Sequence, residues 1–354
     1  MKLICNIPSS PHSYEIEIGS RMGHTQYLRS LASKFAIITD DIVAPLYGES
    51  LTRELGGHLF SFPHGEQYKT RTTKELLENQ LFEKGFGRDS CVIALGGGVV
   101  TDLAGYVAAT YCRGIPLVMM PTSLLAMVDA SIGGKTGVNG PYGKNMIGCI
   151  YQPKKVLLDL STLKSLPKKE VANGMVEIIK HGLIASCKLF EAVEQGSDIQ
   201  GMIFESCRIK KEIVEQDERE NGKRRLLNFG HTIGHALERL THYSLSHGEA
   251  VAIGLLVESY LSVKLGLLDQ NSLERIHNVL LKNGLPLQLP SRFSLQNLLD
   301  TMAWDKKAQK REPRFVMIDA IGSSLAYGST YCTHVEKSLI KDGLEWVNDA
   351  LCCH

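Results

Sequence analysis

Short, continuous apolar runs alternate with longer segments of helical periodicity over the first 160 residues. The runs at 35–39, 91–95, 117–120 and 156–160 lack the polar alternation of a half-exposed strand. Uninterrupted apolar runs of this length are typical of parallel strands that are buried on both faces. The pattern therefore predicts an α/β domain built on a parallel sheet.

The β pattern nearly stops after Pro167. Segments 171–185, 202–216 and 250–265 have apolar residues at helical spacing, and only 314–318 reads as a further strand. A chain of 354 residues also exceeds the size at which a single core stops growing. We therefore expect two domains, residues 1–160 and a mainly helical domain at 161–354.

Composition excludes several classes of partner. The chain is 44% hydrophobic and 22% charged, as in an ordinary globular protein, and its 39 basic and 38 acidic side chains nearly balance. This balance gives no electrostatic reason to expect nucleic acid or an anionic membrane as a partner. The apolar runs at 114–128 and 250–261 are interrupted by proline or too short to span a bilayer. We expect no membrane partner.

The N-terminal residues and the cysteines bear on localisation. The start MKLICNIPSS has no apolar segment long enough for a secretory signal, and nine cysteines are scattered without a CxxC pair. This usage is typical of reduced thiols in a cytoplasmic protein.

A glycine turn follows one predicted strand. The strand at 91–95 runs directly into Gly96, Gly97 and Gly98 and then into a helix-like segment, so backbone N–H groups could receive a phosphate at a helix N-terminus. The turn is not GxGxxG, and the best ribose-binding acid, Asp40, precedes it instead of following it. The residues are therefore consistent either with a dinucleotide site of variant arrangement or with a plain tight turn.

A second glycine-rich segment spans residues 131–145. It places Lys135 and Lys144 on a flexible backbone beside Asn145, which suits an anion. The alternative is an exposed loop with solvated lysines. Asp129 and the apolar run before the segment favour the anion site.

Polar side chains recur at helical spacing later in the chain. Glu220, Arg224 and Asn228 are four residues apart, which predicts that they lie on one face of an α-helix. His231 and His235 form a second pair with the same spacing. Such groups beside apolar residues are costly unless a ligand or metal satisfies them.

The histidines raise the question of a metal. The pair in HTIGH has the spacing of HExxH but lacks the glutamate that serves as base in that motif. Glu177 lies in a predicted helix, with Lys180 one turn later, and His247 is a third histidine. One glutamate and two histidines would leave the open position of a catalytic metal. Spacing alone does not decide which three residues bind it.

Eight segments taken together closely resemble the 3-dehydroquinate synthase family. In chain order they are GEQYKT, GGGVVTDLAG, PTSLLAMVDASIGGKTGVN, GKNMIG, NGMVEIIKHGLI, DERENGKRRLLNFGHTIGHALE, SHGEAVAIG and WDKK. They cover nearly the whole chain in family order. The resemblance implies a dehydroquinate synthase-like fold: an α/β N-terminal Rossmann-like domain, then a mainly α-helical C-terminal domain, with NAD and Zn²⁺ or Co²⁺ in the cleft between them.

The resemblance also implies residue roles. The metal ligands would be Glu177, His231 and His247, and His235 would face the substrate as a hydrogen-bonding and proton-handling residue. The residues implied for the cofactor are Asp40, Gly65, Glu66, Lys69, Gly97, Gly98, Asp102, Thr122, Ser123, Lys135, Lys144, Thr162 and Ser165. Those implied for the substrate are Arg113, Asp129, Lys135, Asn145, Lys180, Lys210, Glu220, Arg224, Asn228, His235, Lys306 and Lys307.

Most of the implied substrate residues are cations or amides, which suits a substrate that carries both phosphate and carboxylate. Arg113 is implied to act across the interface of a homodimer. Two positions depart from the family pattern: Ser123 replaces a threonine, and Ile42 replaces an asparagine near the adenosine end of the cofactor.

The implied reaction converts 3-deoxy-D-arabino-heptulosonate 7-phosphate to 3-dehydroquinate and phosphate, a step towards chorismate. The family mechanism oxidises the C5 alcohol with NAD, eliminates phosphate, returns the hydride and closes the ring by an aldol step. The alternatives are a cyclase for another sugar phosphate, such as sedoheptulose 7-phosphate, and a metal- and NAD-dependent polyol dehydrogenase. A non-catalytic nucleotide-binding protein fits poorly, because every expected metal and proton-transfer position is filled.

Overall fold

The computed structural model describes residues 1–8, 13–20, 25–141, 143–290, 293–303 and 313–351. The chain divides into two compact units, Met1–Pro167 and Lys168–His354. The sequence-based boundary after residue 160 remains a prediction.

A seven-stranded sheet organises the first unit. Its strand order is β1-β2-β9-β6-β5-β3-β4, and every neighbouring pair is parallel except β1 and β2. The strands are β1 (Lys2–Asn6), β2 (Ser13–Gly19), β3 (Lys34–Asp40), β4 (His58–Phe62), β5 (Ser90–Gly96), β6 (Leu117–Pro121) and β9 (Lys155–Asp159). The parallel α/β sheet expected from the apolar runs is thus confirmed. All seven residues of β5 are buried, which explains why its sequence shows no polar alternation.

Helices connect the parallel strands. They are α1 (Thr25–Leu31), α2 (Glu49–Leu55), α3 (Arg71–Glu83) and α4 (Gly98–Thr110). Residues of β3, β5, β6 and β9 form a hydrophobic core with Leu28 and Leu55 of α1 and α2. The helix expected after the glycine turn is α4, which places the turn at its N-terminus.

The second glycine-rich segment is a β-hairpin and not a flexible loop. Strands β7 (Lys135–Gly140) and β8 (Gly143–Ile150) pair in antiparallel register. A Cβ added at Gly148 would lie 2.0 Å from the Thr136 carbonyl oxygen, and one at Gly137 would lie 2.6 Å from that of Ile147. These glycines therefore allow a close approach of the two strands, and the expectation of a flexible backbone here is wrong.

The second unit is mainly helical, as expected. Its helices are α5 (Lys168–Ala185), α6 (Cys187–Gln195), α7 (Ile199–Gln216), α8 (His231–Leu240), α9 (His247–Lys264), α10 (Gln270–Lys282), α11 (Leu295–Ala303) and α12 (Lys337–Leu351). Among the described residues, no helix combines the length and apolarity needed to cross a bilayer.

The predicted strand at 314–318 is only partly correct. Phe315 forms an isolated bridge with Thr333, and the regular strand β10 (Ile318–Ala320) begins at the last residue of the predicted range. It pairs with the two-residue strand β11 (Ser323–Ser324).

The expectation of one α-helix carrying Glu220, Arg224 and Asn228 is wrong. Lys223–Asn228 is a 3-10 helix, and Glu220 lies before it with a positive φ of 63°. Gly230, with φ 78°, then separates this segment from α8. A left-handed residue on either side of a short 3-10 segment is incompatible with a continuous α-helix.

Candidate metal centre and cofactor-binding residues

Three residues of the second unit bring a carboxylate and two imidazoles together. Glu177 lies in α5, while His231 and His247 are the first residues of α8 and α9. Glu177 Oε1 is 3.6 Å from Nε2 of His231 and 3.6 Å from Nε2 of His247. Ligands bound tetrahedrally to zinc at about 2.1 Å are roughly 3.4 Å apart. The donor set and its spacing therefore fit a divalent metal of the zinc class.

The other ring nitrogen of each histidine faces an oxygen. His231 Nδ1 is 3.1 Å from the Phe229 carbonyl oxygen, and His247 Nδ1 is 3.5 Å from Glu238 Oε1. An oxygen at Nδ1 fixes both the ring and its tautomer, so that Nε2 can bind a metal. Glu238 was not identified from the sequence as a functional residue.

Local packing fixes where both histidine-bearing helices begin. A Cβ at Gly230 would lie 2.8 Å from the Leu255 backbone nitrogen, so only glycine lets the start of α8 approach α9 this closely. The N-terminus of α9 is closed by a capping box between Ser246 and Glu249. Ser246 Oγ also donates to Asn173 Oδ1 of α5 at 2.7 Å, which ties the His247 end of α9 to the helix that carries Glu177.

Burial and hydrogen bonding have opposite effects on the pKa of His247. Burial alone lowers the pKa of this imidazole, but hydrogen bonds with Glu177 and Glu238 raise it to about 9. Without a metal, His247 thus holds a proton at neutral pH that a metal has to displace.

His235 remains close to the same cluster. Its ring centroid is 5.3 Å from that of His231 and 6.3 Å from that of His247. His235, Glu238 and His247 also have donor atoms within 4.8 Å of one another, as have Glu177, His231 and His247. In the latter set, Glu177 Oε1 lies 3.6 Å from Nε2 of His231 and 3.6 Å from Nε2 of His247.

Three of the expected substrate cations are buried. Lys180 and Arg224 are each 1% exposed and Lys210 is 4% exposed. The Lys180 ammonium forms an ion pair with Glu177 Oε2, so this lysine contacts an expected metal ligand directly. Buried cations are kept where specific anionic or polar groups satisfy them.

The loop between α7 and the 3-10 segment positions Glu220 and Arg224. The Asn228 amide donates to Glu220 Oε1, the Arg225 Nε donates to the Glu220 carbonyl oxygen at 3.3 Å, and the Arg224 guanidinium donates to the Glu218 carbonyl oxygen. Glu220 and Asn228 therefore meet through the turn of the loop and not through a helix face.

A hydrogen-bond network in the first unit joins several expected site residues. The Lys69 ammonium contacts Asp102 Oδ2 and lies 2.6 Å from Asn145 Oδ1. The Asn139 amide donates to Glu66 Oε1 at 2.8 Å, and Asn139 Oδ1 accepts the Asn145 N–H at 3.0 Å. Asn139 joins the two halves of this network but was missed in the sequence analysis.

The charge of Asp102 is only partly offset by the Lys69 ammonium. Burial raises the pKa of the Asp102 carboxyl group, and the nearby Lys69 ammonium opposes that rise.

Glu66 lies in a 3-10 turn (Glu66–Tyr68) that follows Gly65, whose φ of 110° favours glycine.

The glycine turn leaves room for a ligand. A Cβ at Gly97 would come no closer than 3.4 Å to Ser123, and one at Gly98 no closer than 3.5 Å to Leu125. Internal packing therefore does not require glycine at these two positions, whereas close approach by a bound phosphate would. The Thr122 N–H donates to the Gly96 carbonyl oxygen at 3.0 Å and fixes the Thr122 and Ser123 backbone beside the turn.

Asp40 ends β3 and turns the chain. Its Oδ1 accepts the N–H groups of Ile42 at 3.0 Å and Val43 at 2.8 Å, and burial raises its pKa. Ile42 therefore contributes to this turn through its backbone N–H.

Further along the chain, Ser165 Oγ lies 2.5 Å from the Tyr47 hydroxyl and donates to the Thr162 carbonyl oxygen at 3.0 Å.

The remaining expected residues lie in turns and on the hairpin. Lys135 begins β7, Lys144 lies in β8, and Asp129 lies in a π-helical turn (Ala126–Ala130). Arg113 ends a 3-10 turn and has a positive φ of 67°, which is uncommon for this residue type. Lys306 and Lys307 lie outside the described residues.

Comparison with known families covers most of the chain. Residues 59–173 match the model of the 3-dehydroquinate synthase N-terminal family, and residues 174–308 match that of the 3-dehydroquinate synthase C-terminal family. A 3-dehydroquinate synthase of Synechocystis sp. is 41% identical over 89% of this chain and 93% of its own. One of Thermodesulfovibrio yellowstonii is 44% identical over 88% of this chain and 92% of its own.

Solved structures share the fold. A 2-epi-5-epi-valiolone synthase from Streptomyces hygroscopicus subsp. jinggangensis, solved with NAD⁺ and Zn²⁺ bound, has a TM-score of 0.87 and 27% identity, covering 96% of this chain and 98% of its own. A 2-deoxy-scyllo-inosose synthase, solved with carbaglucose-6-phosphate, NAD⁺ and Co²⁺, also has a TM-score of 0.87, at 24% identity, covering 97% and 99%.

The parallel sheet, the helical second unit and these neighbours define the dehydroquinate synthase-like fold. With both family models matched and relatives above 40% identity over most of its length, the chain belongs to the 3-dehydroquinate synthase family.

Proposed function

We propose that this chain converts 3-deoxy-D-arabino-heptulosonate 7-phosphate to 3-dehydroquinate and phosphate, using NAD catalytically and a divalent metal. The observation that carries the proposal is the cluster of Glu177, His231 and His247, which has the donors and spacing of a catalytic metal site within a chain of this family. The product leads towards chorismate and the aromatic amino acids.

Glu177, His231 and His247 would hold the metal, Zn²⁺ or Co²⁺. When bound, the metal would supply Lewis-acid polarisation of a substrate oxygen. Glu238 and the Phe229 carbonyl oxygen would hold the two imidazoles with Nε2 directed inward. Lys180, through its ion pair with Glu177, would balance the carboxylate charge and orient it.

The first unit would hold NAD, which supplies reversible hydride transfer at a substrate alcohol. Gly97 and Gly98 would allow backbone approach to the pyrophosphate, and Asp40 would bind a ribose hydroxyl. We assign Glu66, Lys69, Asp102, Thr122 and Ser123 to the surrounding contacts, and Gly65, Lys135, Lys144, Thr162 and Ser165 to its periphery.

The substrate would be bound by cations and amides. Lys180, Lys210 and Arg224 are preformed buried donors, and such donors suit carboxylate and phosphate oxygens. Glu220 and Asn228 would bind substrate hydroxyl groups as a pair, since the Asn228 amide already donates to Glu220 Oε1. His235 would hold and return a proton beside the metal ligands, a role that imidazole side chains commonly serve.

Arg113, Asp129, Lys135, Asn145, Lys306 and Lys307 complete the proposed substrate set. We further propose a homodimer in which Arg113 serves the neighbouring copy, and a cytoplasmic location, which suits the seven described cysteines, all of them free thiols.

The experiment compares phosphate release from 3-deoxy-D-arabino-heptulosonate 7-phosphate with release from sedoheptulose 7-phosphate, using zinc-loaded protein and NAD. Chelator-treated protein serves as the matched control. We expect release from the heptulosonate only, and loss of that release after chelation. Faster release from sedoheptulose 7-phosphate would contradict the proposed substrate, because the buried cations would then not be selecting a carboxylate.

A further inference from the structure

A single carboxylate organises the segment that carries Glu220 and Arg224, from the end of α7 into the 3-10 helix. Asp217 Oδ1 accepts the N–H of Asn221 at 3.0 Å, and Oδ2 accepts the N–H of Gly222 at 2.7 Å and of Arg224 at 3.0 Å. We propose that Asp217 is a positioning residue that sets Glu220 and Arg224 for the substrate. The inference rests on the proposed function, in which these two side chains contact the substrate.

Asp217 is itself anchored to a packed helix. It follows the last residue of α7, and its N–H donates to the carbonyl oxygens of Ile213 at 3.1 Å and Val214 at 3.2 Å. Both of those residues are buried. The helix therefore fixes the backbone of Asp217, and the Asp217 carboxylate fixes the loop. The position of the loop thus depends on the position of α7.

The loop geometry needs such a restraint. Glu220 has a φ of 63°, a left-handed conformation that is uncommon for a residue other than glycine. Backbone strain of this kind persists only where surrounding contacts determine it. The three hydrogen bonds to Asp217 act on the segment immediately after Glu220, where they close the turn.

The carboxylate keeps its charge in this position. Burial alone would raise the pKa of Asp217, but the N–H groups of Gly222, Asn221 and Arg224 lower it below its ordinary value. A charged acceptor of three N–H groups makes stronger hydrogen bonds than a neutral one. Asn at this position keeps the shape but loses an acceptor oxygen, so it isolates the contribution of the carboxylate.

The test compares Asp217→Asn with Asp269→Asn. Asp269 is a suitable control because its carboxylate also closes a chain turn, accepting the Ser272 N–H at 2.8 Å where α10 begins. We expect Asp217→Asn to lower kcat/KM for 3-deoxy-D-arabino-heptulosonate 7-phosphate by about 10-fold to 100-fold. Metal content and the KM for NAD should not change, and Asp269→Asn should retain the kcat/KM of the parent protein.

A double-mutant cycle separates positioning from general stability. If Asp217 acts through Glu220, the losses in kcat/KM for Asp217→Asn and Glu220→Gln are not additive. Additive losses, or a loss in Asp217→Asn that merely follows the fraction of folded protein, would overturn the proposal.

Hydrogen exchange provides a readout that does not depend on the reaction. We expect amides 218–224 to exchange faster in Asp217→Asn while those of α7 and α8 keep their protection. Unchanged exchange at 218–224 would overturn the positioning role. If the parent protein released no phosphate but this exchange increased, the proposed function would fail while the loop restraint would stand.

Discussion

Replacing Glu238 by glutamine tests whether the carboxylate behind His247 tunes metal binding. Glutamine keeps the size of the side chain and an oxygen for His247 Nδ1 but removes the charge. Because the Glu238 side chain is only 2% exposed, water screens that charge little. Loss of such an outer contact typically weakens metal binding about 10-fold to 100-fold, or by roughly 1.4 to 2.8 kcal/mol.

Proton competition sets the pH dependence of this effect. In the metal-free protein the pKa of His247 is raised to about 9. The apparent metal affinity of the parent protein should therefore rise by about 10-fold per pH unit from pH 7 and level off near that pKa. Removing the Glu238 charge lowers the His247 pKa, so the variant should level off at a lower pH and at a weaker final affinity.

Competition for Zn²⁺ with a chromophoric chelator between pH 7 and 9.5 would measure both curves. Glu274→Gln, a change at an exposed position of α10, is the matched control and should reproduce the parent curve. If the curves for the parent and Glu238→Gln levelled off at the same pH and at the same affinity, the role assigned to Glu238 would be refuted.

Three further changes probe other parts of the account. His247→Ala should abolish bound metal and turnover while leaving the circular dichroism spectrum unchanged. The control variant His277→Ala, on α10, should keep its metal. Undiminished metal content in His247→Ala, measured by elemental analysis, would exclude His247 as a metal ligand. Lys135→Ala should raise KM for the phosphorylated substrate more than the Kd of NAD, and unchanged kinetics with that substrate would exclude the role. Lys155→Met should cost about 2 kcal/mol at pH 7, because the lysine pairs with Glu15. The Lys155 contact holds the pKa of Glu15 below its ordinary value, so the stabilisation is present at neutral pH and is lost as pH falls through the lowered pKa. A urea midpoint difference that is the same at pH 7 and pH 3.5 would contradict this.

The sheet could be predicted because burial on both faces imposes a simple pattern. Strands β3, β5, β6 and β9 follow the four continuous apolar runs within one or two residues. The hairpin of β7 and β8 was missed because its glycines permit close strand contact, and glycine has the same appearance in a flexible loop. Pairing of two strands in a separate two-stranded sheet depends on contacts that local sequence does not reveal.

Residue types alone could indicate candidate site residues, but they could not show how the backbone between those residues folds. Four-residue spacing suggested an α-helix through Glu220, Arg224 and Asn228, but the positive φ of Glu220 and the non-helical backbone of Gly222 interrupt it. The glycine in ENGK was the available signal for that interruption.

Glu238 and Asn139 act through other polar groups and carry no spacing signature of their own. Only three-dimensional proximity shows that Glu238 Oε1 lies 3.5 Å from His247 Nδ1, or that Asn139 connects Glu66 with Asn145. For the same reason, spacing left open which histidines accompany Glu177, and the structure places Nε2 of both His231 and His247 3.6 Å from Glu177 Oε1.

The ratio of phosphate released to NAD supplied tests the proposed reaction most directly. Purified protein with Zn²⁺ and substoichiometric NAD would be given 3-deoxy-D-arabino-heptulosonate 7-phosphate while absorbance is followed at the NADH wavelength. We expect many phosphates per NAD with no accumulation of NADH, because the hydride is returned within each turnover. Release of no more than one phosphate per NAD, or NADH accumulating with simple polyols and no phosphate released, would contradict it.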